Sequence, residues 1–302
     1  MKNNIQSIHL ELISKCNLKC VHCELNRNSY ESKGNKINFE DTINLLKELK
    51  PKEKNSISLI LQGVGEATLH PQFEEFLKIG IELGYRVSTT SNLLAWKKNK
   101  YKSFLDIGLN LLTVSVDTIN QELTEKTRKG TNVEKLKENL IYLSQYYSEK
   151  LYIYTVVSDI TIDYIDELYE FIKQLNVQKW QFIYLLNENG TQGISKENKN
   201  KLAKKVDKFK DINNLVLPIE QNESYCQQPF NILHINAMGY IMPCCLYWDH
   251  NLINFGNIRD KNINLQFNSI KFNTFRKEMS LGKAEICTTC TLYKPYAKNM
   301  DN

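Results

Sequence analysis

The stretch SIHLELISKCNLKCVHC, residues 7–23, decides how the rest of the chain is read. Its first half contains Ile8–Ile13, an apolar run of β-formers that predicts a strand. Cys16, Cys20 and Cys23 follow at C-x3-C-x2-C spacing, on the loop leaving that strand. Three thiolates so placed can bind three irons of a 4Fe–4S cube, whereas protein ligation of a cube normally takes four. One iron is then open to bind and activate a ligand. Zinc is the competing reading, but a structural zinc site wants four ligands, commonly as paired C-x2-C units. His22 as the fourth would sit between Cys20 and Cys23 and strain the geometry.

Moving outward, apolar runs recur at Ile57–Leu61, Arg86–Thr90, Leu111–Val116, Leu151–Val157 and Trp180–Leu185. Amphipathic segments alternate with them, near Phe39–Leu49, Pro71–Leu83, Ala95–Leu105, Val133–Tyr146, Asp163–Leu175 and Lys196–Phe209. Strands spaced by helices of this length imply βα units and a parallel sheet. The pattern alone fits a doubly wound sheet or an incomplete barrel. In both, ligands bind at the loops after the strand C-termini. The alternation stops near Asp211, and a boundary is expected around residues 211–220, dividing the chain into 1–212 and 213–302.

The whole chain has 302 residues, 42% hydrophobic and 24% charged, near the averages for soluble globular proteins. A formal net charge of +5 is mild. No Lys/Arg stripe with interleaved aromatics argues for nucleic-acid binding. The lysines from Lys196 to Lys210 share their stretch with Glu197 and Asp207 and read as a solvated helix face. No run reaches the roughly 18 apolar residues of a membrane span, and Met1–Ser7 lacks a signal peptide's apolar core. A cytoplasmic location is expected, where disulfides are improbable and eight cysteines point to metal or cluster ligation.

The run ISKCNLKCVHC, residues 13–23, resembles the signature of the radical S-adenosylmethionine superfamily. In that family the open iron chelates the methionine moiety of S-adenosylmethionine. One electron from the reduced cluster then breaks the bond between sulfur and the ribose 5′ carbon. The 5′-deoxyadenosyl radical so released abstracts a hydrogen from substrate. The resemblance implies an incomplete (β/α)6 TIM-like barrel, a 4Fe–4S cluster on Cys16, Cys20 and Cys23, and an electron donor such as flavodoxin or ferredoxin. His22 stands where the family usually has an aromatic ring near the adenine.

Further motifs follow in order. QGVGEATLHP, residues 62–71, resembles the family's Gly-Gly-Glu-Pro turn at Gly65 and Glu66, with Val64 and Ala67 departing from it. Such a turn lets backbone carbonyls approach the methionine amine. Ser91 and Asn92 end the third strand and, by the same resemblance, are expected among the cofactor-binding residues. Ser115 and Asp117 resemble the ribose-binding position, since both accept protons from hydroxyls. Arg128 resembles an arginine that pairs the methionine carboxylate, for which a guanidinium fork is suited.

Five more cysteines lie late in the chain: Cys226, Cys244, Cys245, Cys287 and Cys290. Four thiolates can ligate a second 4Fe–4S cluster or a tetrahedral zinc. The succession of Cys226, Gly239, Cys244, FGNI at 255–258 and the final C-x2-C resembles the SPASM extension in its shortened, twitch form. That resemblance implies a small C-terminal domain with an auxiliary 4Fe–4S cluster on Cys226, Cys244, Cys287 and Cys290. Cys245 is then the spare thiol, a packing residue or a hydrogen-atom donor. The expected activity is dehydrogenation or epimerisation of a small molecule such as an aminosugar or cyclitol. The chain starts almost at its first strand, which tilts the reading away from a peptide gripped by an N-terminal module. Modification of a peptide substrate, by epimerisation, thioether or carbon–carbon crosslinking, is the alternative. A structural zinc-binding interaction protein is the alternative from another class.

Overall fold

A computed structural model of the chain describes residues 4–26, 34–186, 193–209, 212, 214–218, 226–260, 262–288 and 290. In chain order the strands are β1 (Ser7–Leu10), β2 (Lys19–Cys20), β3 (Ser58–Leu61), β4 (Arg86–Ser91), β5 (Leu111–Ser115), β6 (Arg128–Lys129), β7 (Leu151–Val157), β8 (Lys179–Tyr184), β9 (Leu215–Val216), β10 (Ile232–Ile235) and β11 (Ile241–Met242). The helices are α1 (Phe39–Glu48), α2 (Phe73–Glu82), α3 (Lys98–Ile107), α4 (Gln121–Thr127), α5 (Val133–Tyr147), α6 (Ile165–Ile172), α7 (Lys196–Val206), α8 (Gln228–Asn231), α9 (Ile263–Phe267), α10 (Ile270–Ser280) and α11 (Glu285–Thr288).

Local chemistry sets the element ends. Asn38, Asn120, Asn132, Ser195 and Ser269 each accept a backbone N–H from the first turn of their helix, capping α1, α4, α5, α7 and α10. The six expected strands and six expected helices are all present, with ends shifted by a few residues. The α/β class and the (β/α)6 arrangement are therefore those of the chain, with six successive units from β1–α1 to β8–α7.

Two compact units divide the chain. The first comprises Met1–Lys15, Arg27–Ser88 and Glu220–Asn302. Its strands run in the order β11-β10-β1-β3, parallel except for the β10–β11 hairpin. β10 was not read from the sequence. It pairs with β1 in register Ser7↔Ile232 to Leu10↔Ile235, so the late chain extends the parallel sheet. Its segment ILHI hides a buried histidine that breaks the apolar pattern.

The second unit comprises Cys16–Asn26 and Thr89–Ile219. It carries the end of β4, then β5, β7, β8 and β9 in parallel, and a separate β2–β6 pair. Burial alternates strictly along β7 and β8, the period-two signature of strands whose faces differ. Trp180 on β8 is fully buried, donates its indole N–H to Thr155 Oγ1 at 2.9 Å and stacks on Phe209. The short strand β9 continues the alternation a little past the expected stop at Asp211. Residues 211, 213, 219 and 220, inside the expected boundary, lie outside the described residues. Among the described residues no helix is long and apolar enough to cross a membrane.

Candidate functional site

The second unit holds the first cysteine group. Cys16 lies in the segment between β1 and β2, Cys20 closes β2, and Cys23 precedes a short 3-10 turn at Glu24–Asn26. β2 pairs antiparallel with β6, which sets Cys20 opposite Arg128. Cys16 Sγ accepts the Leu18 N–H at 3.4 Å and the Asn92 side-chain amide at 3.5 Å. Asn92 also donates to Asn17 Oδ1 at 2.9 Å, and its own Oδ1 accepts the Leu94 N–H. Asn17, not singled out from sequence, thus shares with Asn92 the task of fixing the cysteine loop. His22 lies half-buried in the turn between Cys20 and Cys23.

Charge is arranged around these thiols. Burial pushes the Cys20 thiol above its usual range, opposed by Arg128 and reinforced by Cys23. Burial pulls the Arg128 guanidinium down, but Asp117 and then Cys20 outweigh it and its proton is held more tightly than usual. Arg128 Nη1 lies 3.3 Å from Asp117 Oδ2, and Asp117 Oδ1 accepts the Val156 N–H at 2.9 Å. Asn92, Ser115, Asp117 and Arg128 share the lining of one small cavity with Leu18 and Thr118, of about 10 Å³, room for roughly one water. Ser91 is apart from this group in role: it is buried, bonds Tyr101 and receives the Leu93 N–H.

The first unit holds the glycine turn after β3. A Cβ on Gly65 would stand 2.0 Å from the Ile13 carbonyl oxygen and 2.8 Å from the Lys15 nitrogen, so only glycine allows this approach of two backbones. The Glu66 N–H donates to the Lys15 carbonyl at 2.9 Å, and the buried Glu66 carboxylate accepts the Thr68 hydroxyl at 2.6 Å.

The same unit gathers the five late cysteines. Burial pushes Cys226 up to about 11 and Cys245 and Cys287 up to about 12, and it raises Cys244 as well. Each feels at least one other thiol of the set: Cys244 feels Cys245, Cys226 and Cys287, while Cys245 feels Cys226 and Cys290. The surrounding turn is held by the Tyr247 hydroxyl donating to the Ile286 carbonyl and the Trp248 indole donating to the Cys245 carbonyl. A concavity of about 410 Å³ lies elsewhere in this unit, along Lys36, Asp41, His70, Ala237 and Arg259. It contains none of the expected cofactor residues.

Both thiol groups fit iron–sulfur clusters. No disulfide joins any of the eight cysteines. Crowded thiols partly withdrawn from water resist ionisation, and a bound metal centre is what converts them to thiolates. Among the described residues no three His, Cys, Asp or Glu side chains are gathered closely enough to share one metal ion. A cube makes no such demand, because each thiolate takes a different iron.

Comparison with known proteins agrees with this chemistry. Residues 10–172 match the model of the radical SAM superfamily, and residues 226–291 match that of an iron–sulfur cluster-binding domain, SPASM. A probable GTP 3′,8-cyclase of Methanocaldococcus jannaschii is 25% identical over 268 residues, covering 82% of this chain and 87% of the relative. The structure of anSMEcpe with bound AdoMet superposes with a TM-score of 0.72 at 19% identity, covering 97% of this chain and 93% of that one. Streptococcus suis SuiB bound to S-adenosylmethionine gives 0.69 at 16% identity, covering 96% and 72%. The chain is a radical SAM enzyme that uses S-adenosylmethionine and 4Fe–4S clusters; it belongs to the radical SAM superfamily, with a C-terminal SPASM domain.

Proposed function

We propose that this enzyme removes a hydrogen atom from a C–H bond of a small polar substrate, of the aminosugar or cyclitol kind, and inverts that carbon. The observation that supports the reading is a fifth half-buried thiol among the late cysteines, one more than a cube takes. When loaded, the first cluster and S-adenosylmethionine supply the 5′-deoxyadenosyl radical that takes the substrate hydrogen.

The chain's own residues do the rest. Cys16, Cys20 and Cys23 hold the first cluster and leave one iron open. Gly65 and Glu66 form the turn for the methionine amino group, and Arg128 pairs its carboxylate. Ser115 and Asp117 take the ribose hydroxyls, and His22 packs near the adenine. Asn92 braces the cysteine loop through Cys16 and Asn17, and Ser91 holds the end of β4 beside it. Cys226, Cys244, Cys287 and Cys290 hold the second cluster. Cys245 gives its S–H hydrogen to the substrate radical from the opposite face. The thiyl left behind takes one electron and one proton to regenerate the thiol, so each turnover draws two electrons from a low-potential donor of the flavodoxin or ferredoxin class. In the alternative, dehydrogenation, the second cluster held by Cys226, Cys244, Cys287 and Cys290 would serve as the electron acceptor, and the substrate would lose a proton as well.

The experiment is turnover in deuterated water, where the Cys245 S–H becomes S–D. Epimerised product should carry one deuterium at the inverted carbon, and 5′-deoxyadenosine should carry none. Cys245→Ala should keep both clusters and still form 5′-deoxyadenosine but lose the inverted product. Inverted product from Cys245→Ala would remove the donor role. A nucleotide substrate is the second reading, favoured by the M. jannaschii relative named as a GTP 3′,8-cyclase. GTP-dependent stimulation of 5′-deoxyadenosine release would select it.

A further inference from the structure

Glu11 is a carboxylate inside the otherwise apolar run IHLELI, and its side chain has no solvent exposure. A buried carboxylate is tolerated only where donors meet it. Oε1 accepts the Val64 N–H at 3.2 Å, and Oε2 accepts the Ala237 N–H at 2.9 Å. Val64 stands one residue before Gly65 in the glycine turn. Ala237 lies in the turn between β10 and β11, within the matched iron–sulfur region 226–291.

Two further facts fix the side chain in place. The Glu11 N–H donates to the Ile235 carbonyl at 2.9 Å, which sets its backbone beside the start of the Ala237 turn. A Cβ on Gly63 would stand 2.4 Å from both Cβ and Cγ of Glu11. The first glycine of QGVGE is thus required by the stem of Glu11, and the second by the backbone at Ile13 and Lys15. One carboxylate spans two segments that the sequence separates by more than 170 residues. Only a group with two acceptor oxygens can serve both N–H donors; an amide of the same shape accepts one and turns its own N–H2 toward the other.

We propose that Glu11 is a positioning residue that sets the Val64–Glu66 turn for S-adenosylmethionine by tying it to the C-terminal iron–sulfur region. The proposal rests on the reading of that turn as the methionine-binding turn. It adds a link between the two: ordering of the Ala237 turn is felt at the cofactor, without contact between the cofactor and Glu11.

The test uses the anaerobically reconstituted full chain, with S-adenosylmethionine as the probe. Calorimetry measures its affinity, and the electron paramagnetic resonance spectrum of the reduced first cluster is recorded with and without it. Glu11→Gln, which preserves shape and one acceptor, should keep full iron content while weakening affinity about tenfold. Gly63→Ala, which presses on Glu11 from the other side, should act in the same direction. In both variants the cofactor-induced change in the spectrum should need correspondingly more S-adenosylmethionine to develop. If both bind within twofold of wild type and only their melting temperatures fall, Glu11 is structural and the proposal is overturned. Gly65→Ala separates the two layers. Loss of binding there with normal binding in Glu11→Gln removes the positioning role alone. Normal binding in Gly65→Ala removes the reading of the turn and the proposal with it.

Discussion

Arg128 and Asp117 form an ion pair at 3.3 Å, with only 11% and 2% of their side chains exposed. Neither charge could remain in so dry a place without the other. Asp117 also bonds Val156 in β7, so the pair ties the Arg128 guanidinium to the parallel strands.

The first prediction follows from that pairing. Asp117→Asn keeps the shape but leaves the Arg128 charge uncompensated, and should cost about 3 kcal/mol of unfolding free energy. Urea unfolding measures it. A loss below about 0.5 kcal/mol, the size expected of solvated pairs, would contradict the burial argument.

A second prediction concerns Gly65. Its missing side chain is what lets the turn lie against Ile13 and Lys15. Gly65→Ala should displace the turn and weaken S-adenosylmethionine binding at least tenfold, with iron content unchanged. Unaltered affinity by calorimetry would show that the turn has no part in cofactor binding.

The third is a pH dependence. Burial lowers His9 from 6.5 to about 4, and burial lowers His234 beside it on β10 as well. Between those two values the unfolded chain binds a proton at His9 that the folded chain does not. The stabilisation is therefore complete above pH 6.5 and is lost as pH falls toward 4. From pH 7.5 to 5.5, His9 alone should remove about 1.4 kcal/mol. Urea unfolding of His9→Phe should show a pH slope smaller by that amount. An equal slope in the two proteins would mean that His9 titrates normally in the folded state.

Much of the fold was legible because its signals are local. Apolar runs such as Leu151–Val157 and capping residues such as Asn132 and Ser195 act within a few positions of themselves. The C-x3-C-x2-C spacing likewise fixes three cysteines on one loop. What was missed depends on distant partners. β10 is four residues long with a buried histidine, and its pairing with β1 decides its state. Asn17 gains its role only when Asn92 arrives from the end of β4. Glu11 did leave a trace, a lone charge in an apolar strand, but its two donors lie far along the chain. The adjacency of Cys244 and Cys245 could not say which one ligates, and both are surrounded by other thiols.

The central claim is that the chain carries two separate clusters, the first held by only three cysteines. Iron and acid-labile sulfide counted on the same anaerobically reconstituted preparation test it directly. Wild type should hold about eight of each per chain, and the triple variant Cys16→Ala, Cys20→Ala, Cys23→Ala about four. A wild type that holds only four, or a triple variant that keeps all eight, would contradict the account.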